Sequence, residues 1–171
     1  MKPRMNFYQA APDTIKALST LEAQVQGSGL EQSLIELVKR SRPAPRRSTI
    51  NGCAYCINMH TQDARKRGET EQRLYLLNAW REAPVYSERE RAALAWTEAV
   101  TLISETHTPD DIYAEVSAQF SEAETVNLTM LIATINAWNR LAIAFRTVPS
   151  VKRPGPPRHN GYTAVASAKS A

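Results

Sequence analysis

Only two cysteines occur among the 171 residues, Cys53 and Cys56. The disulfide frameworks that hold small secreted domains need more bridges over longer loops, so that class is excluded. Long hydrophobic runs are also missing. No stretch of about eighteen apolar residues occurs, which excludes a membrane-crossing helix. The opening MKPRMNFYQAAPD has no apolar leader core, so secretion is not expected and the chain reads as cytoplasmic. Strand signals are absent: no segment alternates with period two over a useful length, and Asn51-Gly52 is not flanked by strand-like runs. Neither sign of charge dominates strongly. Lysine and arginine number 21 against 17 aspartates and glutamates, a net charge of +4. Much of the excess sits in two short segments. One holds Lys39, Arg40, Arg42, Arg46 and Arg47 and reads as an exposed loop; the other holds Lys152, Arg153, Arg158 and Lys169. A nucleic-acid partner is therefore not expected.

What is present is helical periodicity. Ile15, Leu18, Leu21 and Val25 recur at helical spacing, with Pro12 and Asp13 in front and Gly27 behind. A second helix is predicted from Leu30 to about Lys39. The prolines at 43 and 45 then interrupt, because each removes an N–H and restricts the residue before it. A third helix is predicted from near Gly52 to a stop at Gly68, and a fourth from Glu71 to about Arg81. Ser87-Glu88-Arg89-Glu90 and Ser121-Glu122-Ala123-Glu124 have the form of capping boxes. The first opens a helix with Leu94, Trp96, Val100 and Ile103 inward. The second opens the longest helix, with Leu128, Leu131, Ile132, Ile135, Trp138, Leu141 and Phe145 on its apolar face. Between them, Thr108-Pro109-Asp110-Asp111 starts a short one. The sequence thus predicts one all-α domain of about six or seven helices over residues 5–148. A Pro-rich flexible tail is predicted over 149–171. Trp80, Trp96 and Trp138 read as core or subunit-interface packing, and Asp63 and Arg65 as a solvated helix face.

The chemistry lies in Asn51-Gly52-Cys53-Ala54-Tyr55-Cys56-Ile57-Asn58-Met59-His60. If the third helix begins at Gly52 or Cys53, Cys53 and Cys56 are neighbours on its first turn. Their Cα atoms are then about 5 Å apart, within the range a disulfide accepts. His60 follows one turn later on the same face. A helix N-terminus favours thiolate, and histidine moves protons near neutral pH. These are the parts of a dithiol peroxidase: one sulfur takes an oxygen from a peroxide, and the other condenses with the sulfenic acid. An external dithiol restores both. The competing interpretation is zinc on Cys53, Cys56 and His60, with a fourth ligand from His107, His159 or a carboxylate. The inert alternative leaves both cysteines without chemistry.

The stretch INGCAYCINMHTQDARKRGE resembles the signature of the alkylhydroperoxidase D-like (AhpD-like) group within the carboxymuconolactone decarboxylase family. LYLLNAWREAPVYSERERAALAWTEAVT and LIATINAWNRLAIAFRTVP extend the similarity over most of residues 6–149. The resemblance implies an all-helical fold, trimers or hexamers, and reduction of alkyl hydroperoxides without cofactor or resident metal. It implies Cys56 as the attacking cysteine, Cys53 as the resolving one and His60 as the proton relay. It also implies a relay glutamate one helix earlier. Glu36-Leu37-Val38-Lys39 matches that run in kind. About five residues, Arg40 to Ala44, read as an insertion between it and the cysteines. Whether Glu36 meets His60 is then set by how the two helices pack. The implied partners are a peroxide and an external dithiol. The alternatives are a general disulfide reductase or redox sensor, or an oligomeric helical scaffold.

Overall fold

A computed structural model describes residues 2–41 and 52–150. Every regular element among the described residues is helical. In chain order these are α1 (Phe7–Ala10), α2 (Pro12–Gln26), α3 (Gln32–Arg40), α4 (Ala54–Lys66), α5 (Glu71–Leu76) and a 3₁₀ turn (Leu77–Ala79). They continue with α6 (Glu88–Thr101), α7 (Ile103–Thr106), α8 (Asp110–Gln119) and α9 (Glu122–Ala144). The prolines at 43 and 45, and the tail beyond Ser150, lie outside the described residues. No helix among those described is long and apolar enough to cross a membrane.

Local chemistry explains the ends. Ser87 and Ser121 each accept from the backbone N–H of the glutamate three residues on, whose carboxylate in turn accepts from the serine N–H. Each box satisfies two N–H groups that a helix start leaves unpaired. At the end of α4 the N–H of Glu69 reaches the Ala64 carbonyl and that of Gly68 reaches Arg65. This closure needs a left-handed residue, and Gly68 supplies it with φ +90°.

The core lies where α3, α6, α8 and α9 meet. Ile35, Leu37, Val38, Leu94, Val116, Leu128, Leu131 and Ile132 are fully buried there. Each such side chain stabilises the fold by roughly 1.5–3 kcal/mol relative to exposure. Helix α4 packs on α3 and touches α9, so it is held against the core from two sides.

Four expectations need correction. The predicted fourth helix stops at Leu76 and continues only as the 3₁₀ turn to Ala79. The backbone breaks at Leu102 (φ −99°, ψ 29°), so Ile103 begins a separate one-turn helix and is 55% exposed rather than inward. Leu21 is exposed as well. Lys39 and Arg40 belong to no exposed loop: both are buried in the last turn of α3. Glutamates from elsewhere in the fold make this possible. Lys39 Nζ lies 2.9 Å from Glu22 of α2, and Arg40 Nη2 lies 3.1 Å from Glu69. The rest of that basic run, from Arg42 on, falls outside the described residues.

Candidate functional site

Cys53 is the N-cap of α4, and its sulfur accepts the Cys56 N–H at 3.2 Å. The cap needs an acceptor, and a sulfur here replaces the usual hydroxyl or carboxylate. The two sulfurs are joined as a disulfide, with Cα atoms 5.3 Å apart. Cysteine residues already bonded to each other cannot bind zinc as thiolates, so the competing metal arrangement does not describe this state. Both residues are deeply buried, Cys53 at 3% exposure and Cys56 at 5%.

Buried sulfur has a route to the surface. A cavity of about 220 Å³ is walled by Cys56, His60, Phe7, Tyr55, Trp138 and Ala142, by Ser19 and Glu22 of α2, and by Tyr8 and Met59, which are exposed at its side. Cys56 faces this cavity, whereas Cys53 is not among its walls. The aromatic wall is continuous: Phe7 and Tyr8 stack at 4.5 Å, and Tyr8 and Trp138 at 6.2 Å. Burial pushes the Tyr8 hydroxyl up, and Tyr55 and the Glu22 carboxylate add to the effect. Tyr8 therefore stays a neutral donor at physiological pH. The indole N–H of Trp138 has no hydrogen-bond partner among the described residues.

Behind His60 stands Glu36, only 5% exposed. Its Oε2 lies 3.6 Å from His60 Nδ1, and its Oε1 lies 2.8 Å from Arg67 Nη1. The two residues meet because α3 packs on α4. Glu36 is thus no surface carboxylate. Burial by itself would raise its pKa, but His60, Lys39 and Arg67 outweigh that and hold it below the usual carboxylate range. A buried, ionised carboxylate thus stands beside one imidazole nitrogen and leaves the other turned away from it.

All four residues singled out from the sequence are therefore together: Cys53, Cys56 and His60 on α4, and Glu36 opposite on α3. His107 is exposed at the end of α7, and His159 lies outside the described residues. Asp63 and Arg65 are on a solvated face, where they pair with Lys66 and Glu71. Sequence reasoning missed Arg67, Phe7, Tyr8 and the place of Trp138 in the cavity wall. Arg67 alone left a signal, since it stands two turns beyond His60 on the same helix.

Residues 12–99 match the model of the carboxymuconolactone decarboxylase family. The chain is 43% identical over 144 residues to the uncharacterized protein YdfG of Bacillus subtilis, an alignment that spans 84% of this chain and 95% of that one. A crystal structure from Agrobacterium tumefaciens, of a protein of unknown function suggested to be the antioxidant defence protein AhpD, superposes with a TM-score of 0.81. It is 46% identical, and the match covers 88% of this chain and all of that one. The debrominase Bmp8 shares the fold, with a TM-score of 0.71 at 20% identity over 83% of this chain and 74% of its own.

Proposed function

The chain belongs to the carboxymuconolactone decarboxylase family, and from that premise we propose that it is an AhpD-like, thiol-dependent peroxidase acting on organic hydroperoxides or hydrogen peroxide. The observation that carries the proposal is the Cys53–Cys56 disulfide with Cys56 and His60 on one small cavity and Glu36 behind the imidazole. The bridge is the oxidised state of the cycle.

In the reduced state Cys56 is the nucleophile. His60 accepts its proton at the ring nitrogen not turned to Glu36, and the resulting imidazolium is stabilised by that carboxylate. The thiolate attacks the terminal peroxide oxygen and the O–O bond breaks. Cys56 becomes a sulfenic acid and the alkoxide leaves, taking the proton from His60 as it forms the alcohol. The Cys53 thiol then displaces hydroxide from the sulfenic sulfur, giving the disulfide and water. An external dithiol, itself oxidised to a disulfide, returns two electrons and two protons. Cys53 is suited to resolve, since it is the partner already in bonding distance and it is off the cavity. The N-terminus of α4 stabilises negative charge on either sulfur.

The burial of both sulfurs favours a peroxide over a protein disulfide as oxidant, because a peroxide fits the cavity and a folded partner's disulfide does not. The same reading includes assembly as a trimer or hexamer, supported by apolar side chains left exposed on α1, α2 and α4, among them Tyr8, Leu21 and Met59. It also includes a cytoplasmic setting, where dithiol reductants are available. Peroxide consumption driven by a dithiol is the test. Wild-type protein should turn over, and Cys56→Ser should lose the activity; equal rates in the two would sink the proposal.

A further inference from the structure

Glu36 lines one cavity and is separated from another by the His60 ring. One side leads through His60 to the cavity at Cys56. The other is a second space of about 480 Å³ between α3 and the end of α4, walled by Gln32, Arg40, Arg67, Glu69 and Arg73 with Glu36 itself. The carboxylate is divided between them. Oε2 is 3.6 Å from His60 Nδ1 and has no hydrogen-bond partner among the described residues. Oε1 accepts from Arg67 Nη1 at 2.8 Å and from Gln32 Nε2 at 3.4 Å.

Arg67 is placed for this contact by backbone geometry. It is the C-cap of α4, and the turn at Gly68 follows at once. The helix that presents His60 to one carboxylate oxygen therefore presents a guanidinium to the other, two turns farther on. The two side chains differ in exposure: Glu36 is 7% exposed and Arg67 is 50% exposed. A half-exposed arginine on a surface pair contributes little to stability. Here it contacts one oxygen of a buried carboxylate whose other oxygen faces the imidazole.

We infer, on the peroxidase reading above, that Arg67 is a positioning residue: it clamps Oε1 of Glu36 so that Oε2 stays turned to His60. Without the clamp only the longer contact from Gln32 Nε2 holds Oε1, and the carboxylate can rotate toward the second cavity and take a proton from water there. The charged groups around Glu36 are His60 and Arg67 of α4 and Lys39 of its own helix, with Arg40, Glu69 and Arg73 around the second cavity. Of these cations Arg67 is the most exposed, so it is the one whose removal disturbs packing least.

The test compares wild type with Arg67→Gln and Arg67→Lys. In Arg67→Gln the acid limb of the kcat/KM profile for peroxide moves to higher pH, and the rate recovers toward wild type on the alkaline side. The loss at acid pH is smaller than in His60→Ala, which removes the general base and its roughly hundredfold or greater contribution. Arg67→Lys keeps a cation and restores the acid limb in part. Carboxyl carbon NMR of the reduced protein reads Glu36 directly, and its midpoint should rise in Arg67→Gln. Melting temperatures should fall only slightly in Arg67→Gln, by the part of the Glu36 stabilisation that follows its raised midpoint. The same pH profile and the same Glu36 midpoint in wild type and Arg67→Gln would overturn the assignment. If wild type reduces no peroxide at all, the peroxidase reading fails, while the Glu36 titration still decides the role of Arg67.

Discussion

Reduction of the Cys53–Cys56 bridge should weaken the fold only slightly, and the size of the effect follows from the loop. The bridge joins residues three apart in sequence, with Cα atoms 5.3 Å apart. In the chain-entropy view, a closed loop of about four residues stabilises the native state by only ~2 kcal/mol. A loop of about 100 residues would give ~4.7 kcal/mol. Two features keep the loss small. The N-cap contact survives reduction, since Cys53 sulfur accepts the Cys56 N–H whether or not it is bonded to its neighbour. The α4 helix is also anchored elsewhere, by Ala64 and His60 buried against α3 and α9. For a chain of 171 residues, ~2 kcal/mol corresponds to a melting shift of roughly 4–8 °C. The assay is thermal unfolding by circular dichroism at one pH, with and without a dithiol, after a thiol count has verified each state. A drop beyond about 15 °C, or loss of helical signal at room temperature, would refute the reasoning. The bridge would then be a structural staple, and a pair that must open in every cycle could not serve as one.

Two further outcomes are expected. Glu36 has a folded-state pKa below its ordinary value, so its stabilisation is present above the ordinary carboxylate pKa and is lost as pH falls through the lowered one. Denaturant melts between pH 3 and 7 should therefore show a shallower acid loss in Glu36→Gln than in wild type; parallel curves would contradict the ionised state assigned to this carboxylate. Ala142 is buried against the disulfide in the cavity wall, and Ala142→Leu extends into a space of about 220 Å³. An engineered cavity of about 150 Å³ holds benzene, so the native space suits a compact aromatic hydroperoxide. The variant should lose kcat/KM for cumene hydroperoxide while its rate with hydrogen peroxide changes little, and an equal loss on both would remove the cavity as the peroxide route.

Much of this arrangement was legible in the sequence because it is local. Ser87 and Ser121 announce their helices by capping boxes that involve only four consecutive residues, and Gly68 marks a stop that needs a left-handed residue. The strip of Cys53, Cys56 and His60 follows from helical spacing alone. What was hidden depends on tertiary packing. The approach of Glu36 to His60 joins residues 24 apart across the connection between α3 and α4, and no spacing rule predicts it. The burial of Lys39 and Arg40 is a second case. A run of basic residues looks solvated until Glu22 and Glu69 arrive from other parts of the chain. Ile103 fails for the opposite reason: its periodicity continues that of α6, but the backbone has already turned at Leu102. The cavity wall, drawn from α1, α2, α4 and α9, has no linear pattern to read.

On the peroxidase reading, the cations around Glu36 have a reason to be there, because they keep its carboxylate an anion beside His60. Ion pairs inside a protein are poor stabilisers, because the cost of removing both charges from water rivals their attraction. An apolar pair in place of Lys39 and Glu22 would therefore be neutral or better for stability alone. A carboxylate as buried as Glu36, left without cations, would instead be pushed up in pKa and would tend to hold its proton. It would then face the imidazole as a neutral acid rather than as an anion. Lys39 and Arg67 prevent this from two directions, one from within α3 and one from the end of α4. On that reading the site depends on charges that the fold could do without, which is the arrangement expected where a core has been shaped to keep a base ready rather than to gain stability.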